Sequence, residues 1–153
     1  MSIKDLVNIL PIELILKVVE HKPDSVDWKY ISQNISKLPE KFIEEYNDYI
    51  YWEYISENQP LSEEFIERHA DDVDWSYISK YQTLSEEFIE RHADDVDWDE
   101  ISIHQELSED FIEKYADRVN WKYISEFQML SESFIEKYKD RVDWYIITKR
   151  VIY

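Results

Sequence analysis

LSEEFIERHADDVDW, residues 61–75, recurs without a change at residues 84–98. The same step spaces the tryptophans: Trp28, Trp52, Trp75, Trp98, Trp121 and Trp144 lie 24, 23, 23, 23 and 23 residues apart. Self-similarity at a period of roughly 20–50 residues marks an array, in which each unit is too small to bury its apolar face alone and must stack on its neighbours. Every tryptophan holds the same slot of that unit.

Within residues 61–83, Ser62 precedes Glu63, Glu64, Phe65 and Ile66, the pattern of an N-cap followed by first-turn acids that favour the helix dipole. Leu61 and Ile66 then form a hydrophobic staple. Asp74 opens a second helix in the same way, with Val73 and Ile78 as its staple. In the next unit Asp97 and Glu100 have the spacing of a capping box. Each unit is expected to hold two short helices, joined by turns at Ala70–Asp72 and Gln82–Thr83. Helices of about two turns are unstable alone, so stacking of Leu61, Phe65, Ile66, Val73, Trp75 and Ile78 must hold them, with the tryptophans as a core ladder.

Earlier in the chain, Leu38, Pro39, Phe42, Ile43 and Trp52 keep the register, as do Leu10, Pro11, Leu14 and Ile15. Trp28 arrives four residues late, which is about one helical turn, so the first helix should be one turn longer. The expected fold is all-α: one α-solenoid domain, 1–153, of six two-helix repeats and about twelve short helices, with units near 10–37, 38–60, 61–83, 84–106, 107–129 and 130–153.

Composition narrows the chemistry. The chain has no glycine, which excludes glycine-rich phosphate loops, and no cysteine, which excludes disulfides and thiolate chemistry. A net charge of −18 opposes direct binding to a nucleic-acid backbone. No apolar stretch has membrane-spanning length and the start lacks a secretory leader pattern, so a cytoplasmic location without membrane contact is expected. Asp71, Asp72 and Asp74 lack the glycine and terminal glutamate of a calcium loop. His69 and His92 share a slot with Tyr46, Tyr115 and Tyr138, which makes it a packing position. His21 and His104 have no partner at ligand spacing. Ser32, Ser56, Ser79, Ser102 and Ser125 read as close helix packing, and Gln59, Gln82, Gln105 and Gln128 as groups satisfying backbone at the next unit's start. Carboxylates that recur in every unit lack the asymmetry catalysis needs. Neither an enzyme nor a cofactor is expected.

Binding should lie where repeats differ. Positions four apart share one helix face, so the second helices present a variegated strip, on which Tyr54, Tyr77, Lys80, Asp99, Ile103, Lys122, Tyr123 and Glu126 are the candidate partner-binding residues. The first helices present an acidic ridge of Glu63, Glu64, Glu67, Glu86, Glu87, Glu90, Glu109, Asp110 and Glu113. The last helix is unusually apolar, and Ile147, Val151, Ile152 and Tyr153 are candidates for self-association into a homo-oligomer.

LSEEFIERHADDVDWSYIS, LSEDFIEKYADRVNWKYIS and LSESFIEKYKDRVDW resemble tandem repeats of large DNA viruses of the mimivirus kind and of some phage and bacterial proteins; the resemblance covers about residues 38–148. It implies an all-helical viral or phage-type repeat protein and carries no catalytic residues. LPIEL at residues 10–14 resembles the start of an F-box, which implies ubiquitin-ligase recruitment through Leu10–Val19. The expected function is a non-enzymatic protein–protein interaction module. Its rivals are a nucleic-acid mimic that inhibits a host nuclease or defence enzyme, and an F-box-like adaptor.

Overall fold

In a computed structural model, residues 12–151 are described; Leu10, Pro11, Ile152 and Tyr153, and the side chain of Val151, lie outside the described part. Among the described residues there are twelve α-helices, one 3-10 turn and no strand. The helices are α1 (Ile12–His21), α2 (Trp28–Asn34), α3 (Glu40–Glu45), α4 (Trp52–Asn58), α5 (Glu63–Arg68), α6 (Trp75–Tyr81), α7 (Glu86–Arg91), α8 (Trp98–His104), α9 (Glu109–Lys114), α10 (Trp121–Phe127), α11 (Glu132–Lys137) and α12 (Trp144–Val151). The fold is an α-solenoid of repeating helix pairs. It divides into two compact units, residues 1–74 and 75–153. In the first, α2 packs on α4; in the second, α6 packs on α8, α8 on α10 and α10 on α12.

The cap expected at Ser62 forms, as do its equivalents in later repeats. The hydroxyls of Ser62, Ser85, Ser108 and Ser131 each accept from the backbone N–H of the phenylalanine three residues on, at 3.2 Å. Asp27, Asp97, Asn120 and Asp143 cap second helices with their side chains. The capping box does not close. Asp97 accepts from the N–H groups of Asp99 and Glu100, but its own N–H already donates to the Ser79 hydroxyl at 2.9 Å. Glu100 turns to His104 instead, Oε2 lying 3.2 Å from Nε2.

That serine bond is the rule at every joint. Each slot serine accepts from the backbone N–H that begins the following second helix: Tyr51 on Ser32, Asp74 on Ser56, Asp97 on Ser79, Asn120 on Ser102 and Asp143 on Ser125, all at 2.8–3.0 Å. Ser32, Ser102 and Ser125 also donate to the tryptophan carbonyl four residues back. The five serines are fully buried. They are bridges between stacked helices rather than mere small packing groups, because a buried hydroxyl must use its donor and acceptor.

The glutamines act in the direction opposite to the one expected. Gln105 Nε2 donates to the carbonyls of Ser79 and Gln82, both at 2.8 Å, while its Oε1 accepts from Leu84 N–H at 3.0 Å. Gln128 makes the same set to Ser102, Gln105 and Leu107, and Gln59 ties Ile35 and Leu38. Each therefore seals the joint before its own repeat, not the one after it. At the end of the array Arg150 donates to the carbonyls of Ser125 and Gln128, both at 2.8 Å, taking over the amide's two donations.

The tryptophans stack forward. Trp52 meets Phe65 and His69 of the next first helix at centroid distances of 6.2 and 4.8 Å, and Trp98 meets Phe111 and Tyr115 at 6.3 and 5.0 Å. Their burial is uneven. Trp28, Trp98 and Trp121 are buried, Trp52 and Trp75 are half-buried, and Trp144 is 47 % exposed. Isoleucines are fully buried instead in each unit: Ile31, Ile43, Ile55 and Ile66 in the first, and Ile78, Ile89, Ile101, Ile112 and Ile124 in the second.

Two irregularities have visible causes. α1 has ten residues where the later first helices have six, the extra turn anticipated from the late Trp28. The 24-residue step to Trp52 carries one additional residue between α2 and α3, absorbed where Lys37 adopts φ 65°.

Candidate interaction surfaces

The second helices carry the exposed aromatic surface. Counting from the tryptophan, the slots two and six residues on stand one above the other on the helix, since residues four apart share a face. In α6 these are Tyr77 and Tyr81, stacked with centroids 6.0 Å apart and planes at 18°. In α10 they are Tyr123 and Phe127, 6.3 Å apart. Between them, α8 places Glu100 and His104. With neighbouring helices roughly 8–10 Å apart, the two aromatic pairs sit about 20 Å from each other, with an acid–imidazole pair between.

Of the strip residues expected from the sequence, Asp99, Lys122 and Glu126 are exposed, while Tyr77, Lys80, Ile103 and Tyr123 are half-buried. Asp99 is tied to Asn120, whose Nδ2 donates to its carboxylate at 2.7 Å. Lys80 lies over the Tyr81 ring, its Nζ 5.3 Å from the centroid. Tyr54, in the other unit, is half-buried beside Tyr51 and beneath Lys29. Sequence reasoning missed the most exposed members: Tyr81, Phe127 and Met129, at 49, 48 and 90 %. A signal existed, because the slot of Tyr81 and Phe127 holds Asn34 and Asn58 in earlier repeats. An aromatic in a slot that tolerates asparagine is a solvent-facing aromatic.

The acidic ridge is largely engaged within the protein, which changes its meaning. Glu86 Oε1 accepts from the Ser108 N–H at 2.5 Å and Oε2 from the Ser108 hydroxyl at 3.1 Å; Glu109 does the same to Ser131. These acids cap the following helix. Glu90 and Glu113 pair with Lys114 and Lys137 of the following repeat. Glu44 pairs with Arg68 at 3.0 Å, and Asp94 and Asp117 with Arg118 and Arg141. The hydrogen bond donated by Arg68 holds the Glu44 carboxyl below its ordinary value, and those that Lys114 and Lys137 donate to Glu90 and Glu113 hold the two lysines above theirs. Glu63 and Glu67 also have interactions of their own. Glu64 and Glu87 remain exposed without an ion pair among the described residues, and Asp110 is exposed near Lys137. The ridge is an alternating ladder of charge, not an unbroken anionic rail.

His69 and His92 are buried against Trp52 and Trp75, with Nδ1 3.3 and 3.2 Å from Asp72 and Asp95. Among the described residues no group of three or more histidine and carboxylate side chains converges as a metal site would require, and no helix is long and apolar enough to cross a membrane. In α12, Ile147, a candidate for self-association, turns inward and is buried, whereas Trp144 and Tyr145 face out. Of the F-box-like segment, Ile15 and Val19 are committed to the core of the first unit.

No protein-family model, no curated protein and no solved structure matches this chain.

Proposed function

We propose that the protein is a non-enzymatic interaction module that binds another protein through the second-helix surface of residues 75–129. The observation that carries this reading is the pair of aromatic clusters, Tyr77–Tyr81 and Tyr123–Phe127, each with one exposed ring, flanking Glu100 and His104, with the exposed Met129 following the second. Aromatic rings are large and rigid and lose little entropy on binding, which is why they concentrate at binding hot spots. Stabilising a repeat array does not require paired rings partly in water on two of its helices, α6 and α10. The complementary partner would offer apolar side chains at two points about 20 Å apart and a cationic or hydrogen-bonding group between them.

A second reading keeps the acidic face as a nucleic-acid mimic that blocks a basic groove. Its support is the net charge of −18 and the exposed Glu64 and Glu87. One experiment separates the two. The protein is immobilised beside two double variants, Tyr81→Ser/Phe127→Ser and Glu64→Gln/Glu87→Gln, and retained proteins are washed at low and high salt. The aromatic reading expects one partner held at both salt concentrations and weakened about thirtyfold by the first variant, the scale of a hot-spot loss. A partner lost at high salt and dependent on the second variant would establish the mimic instead.

A further inference from the structure

Five joints of the array share one recognition geometry. The tryptophan of a second helix is covered by two side chains of the next first helix, a phenylalanine and, four residues on, a tyrosine or histidine. Trp28 is covered by Phe42 and Tyr46, Trp75 by Phe88 and His92, and Trp121 by Phe134 and Tyr138, at centroid distances of 4.7–6.3 Å. Beside this stack a cation three residues after the phenylalanine reaches back to a glutamate of the preceding repeat. The pairs are Arg68–Glu44, Lys114–Glu90 and Lys137–Glu113.

Both halves of that geometry also occur unmated. Trp144 is 47 % exposed with no ring stacked on it among the described residues. Glu136, in the slot of Glu44, Glu90 and Glu113, turns to Lys139 of its own repeat at 3.1 Å. On α1 the phenylalanine slot is Leu14 and the tyrosine slot is Val18, exposed at 44 and 36 %. The cation slot is Lys17, also exposed. Helices α11 and α12 thus present an uncovered tryptophan with a glutamate, and α1 presents two uncovered apolar side chains with a lysine at matching spacing.

We propose that a second copy of this chain docks head to tail, its α1 laying Leu14 and Val18 on Trp144 and its Lys17 on Glu136. The contact reproduces the internal joint between molecules. It is heterologous, so each added copy leaves a fresh face, and association proceeds to open chains or rings rather than stopping at a symmetric pair. This proposal rests on the end faces and is independent of the aromatic surface assigned above to a partner.

Sedimentation velocity and light scattering of the 153-residue chain, from micromolar to millimolar, test it. The weight-average mass is expected to climb beyond twice the 18.8 kDa of one chain. Trp144→Ala should weaken association about thirtyfold, as for a central aromatic anchor. Lys17→Glu and Glu136→Lys each bring like charges together and should weaken it about fivefold, the scale of an exposed ion pair. Mixed in equal amounts, those two charge variants should regain assembly, because both junction types in the mixture pair opposite charges. A mass fixed at one chain throughout the range overturns the proposal. So does association that Trp144→Ala leaves intact, or a dimer plateau that the mixture of charge variants fails to improve.

Discussion

Replacing Gln105 by leucine removes a buried amide that holds one joint closed at three points. The side chain is 5 % exposed, donates to two carbonyls and accepts from one N–H. Leucine fills comparable space and leaves the Leu84 N–H and the carbonyls of Ser79 and Gln82 without these partners. A buried polar group stripped of its partner costs about 1–3 kcal/mol. Three such groups at the low end of that range, offset by about 1 kcal/mol of extra apolar burial, give a net loss of about 2 kcal/mol. Urea denaturation followed by tryptophan fluorescence and far-ultraviolet dichroism reads this as a lower midpoint at unchanged slope. Glu106→Leu, at the exposed neighbouring position, should stay within about 0.5 kcal/mol. Hydrogen exchange adds a local readout, since the Leu84 amide should lose protection before the amides of α8 do. Gln105→Glu is a sharper variant still, because it keeps the acceptor for Leu84 but aims a carboxylate at two carbonyl oxygens. Its penalty should shrink in acid, where the protonated carboxyl can donate again. A loss below about 1 kcal/mol for Gln105→Leu would refute the clamp and return Gln105 to the role of a spacer.

Four further outcomes are expected. Trp98→Ala should cost about 3–5 kcal/mol in denaturant titrations, as buried large-to-small changes do, whereas Trp144→Ala on monomer at low concentration should cost far less because the ring is half in water. Glu86→Ala should cost about 1 kcal/mol through the lost cap on Ser108, while Glu87→Ala, one residue on, should be near neutral; equal effects would contradict the capping role. Lys37→Gly should raise the unfolding free energy by about 1 kcal/mol by relieving a side chain held at φ 65°. Stability should fall on both flanks of pH. The lowered Glu44 value means its contribution is present above the ordinary 4.5 and lost as pH drops through the folded value beneath it. The raised values of Lys114 and Lys137 mean theirs are present below 10.5 and lost as pH climbs through folded values above it. Melting temperature across pH, with Lys114→Met flattening part of the alkaline limb, checks the sign.

Repeat length, helix pairing and the longer α1 were legible because they depend on local chemistry: a serine before two acids, a staple, a tryptophan at fixed phase. What sequence could not show was which neighbour a side chain serves. Gln105 lies two residues from the joint ahead at Leu107 and 21 from Leu84, and only the stacked geometry sends its amide backwards. The capping box at Asp97 and Glu100 satisfied its local pattern but lost to a competitor 18 residues earlier, the Ser79 hydroxyl. Glu86 looked like one of a solvated row because its partner, the Ser108 N–H, lies 22 residues away. The strip expected on the second helices left out their most exposed rings, Tyr81 and Phe127, whose slot holds asparagine in the first repeats. Burial in an array depends on which repeat comes next, and a single unit does not encode that.

The backward reach of the glutamines has a bearing on biosynthesis. Leu84 N–H and the carbonyls of Ser79 and Gln82 receive their partner from a side chain 21 to 26 positions downstream. A ribosome making the chain in order therefore releases each joint before the residue that locks it has emerged. The nascent protein would trail synthesis by about one repeat, its newest joint always unlatched and each new glutamine fastening the one before.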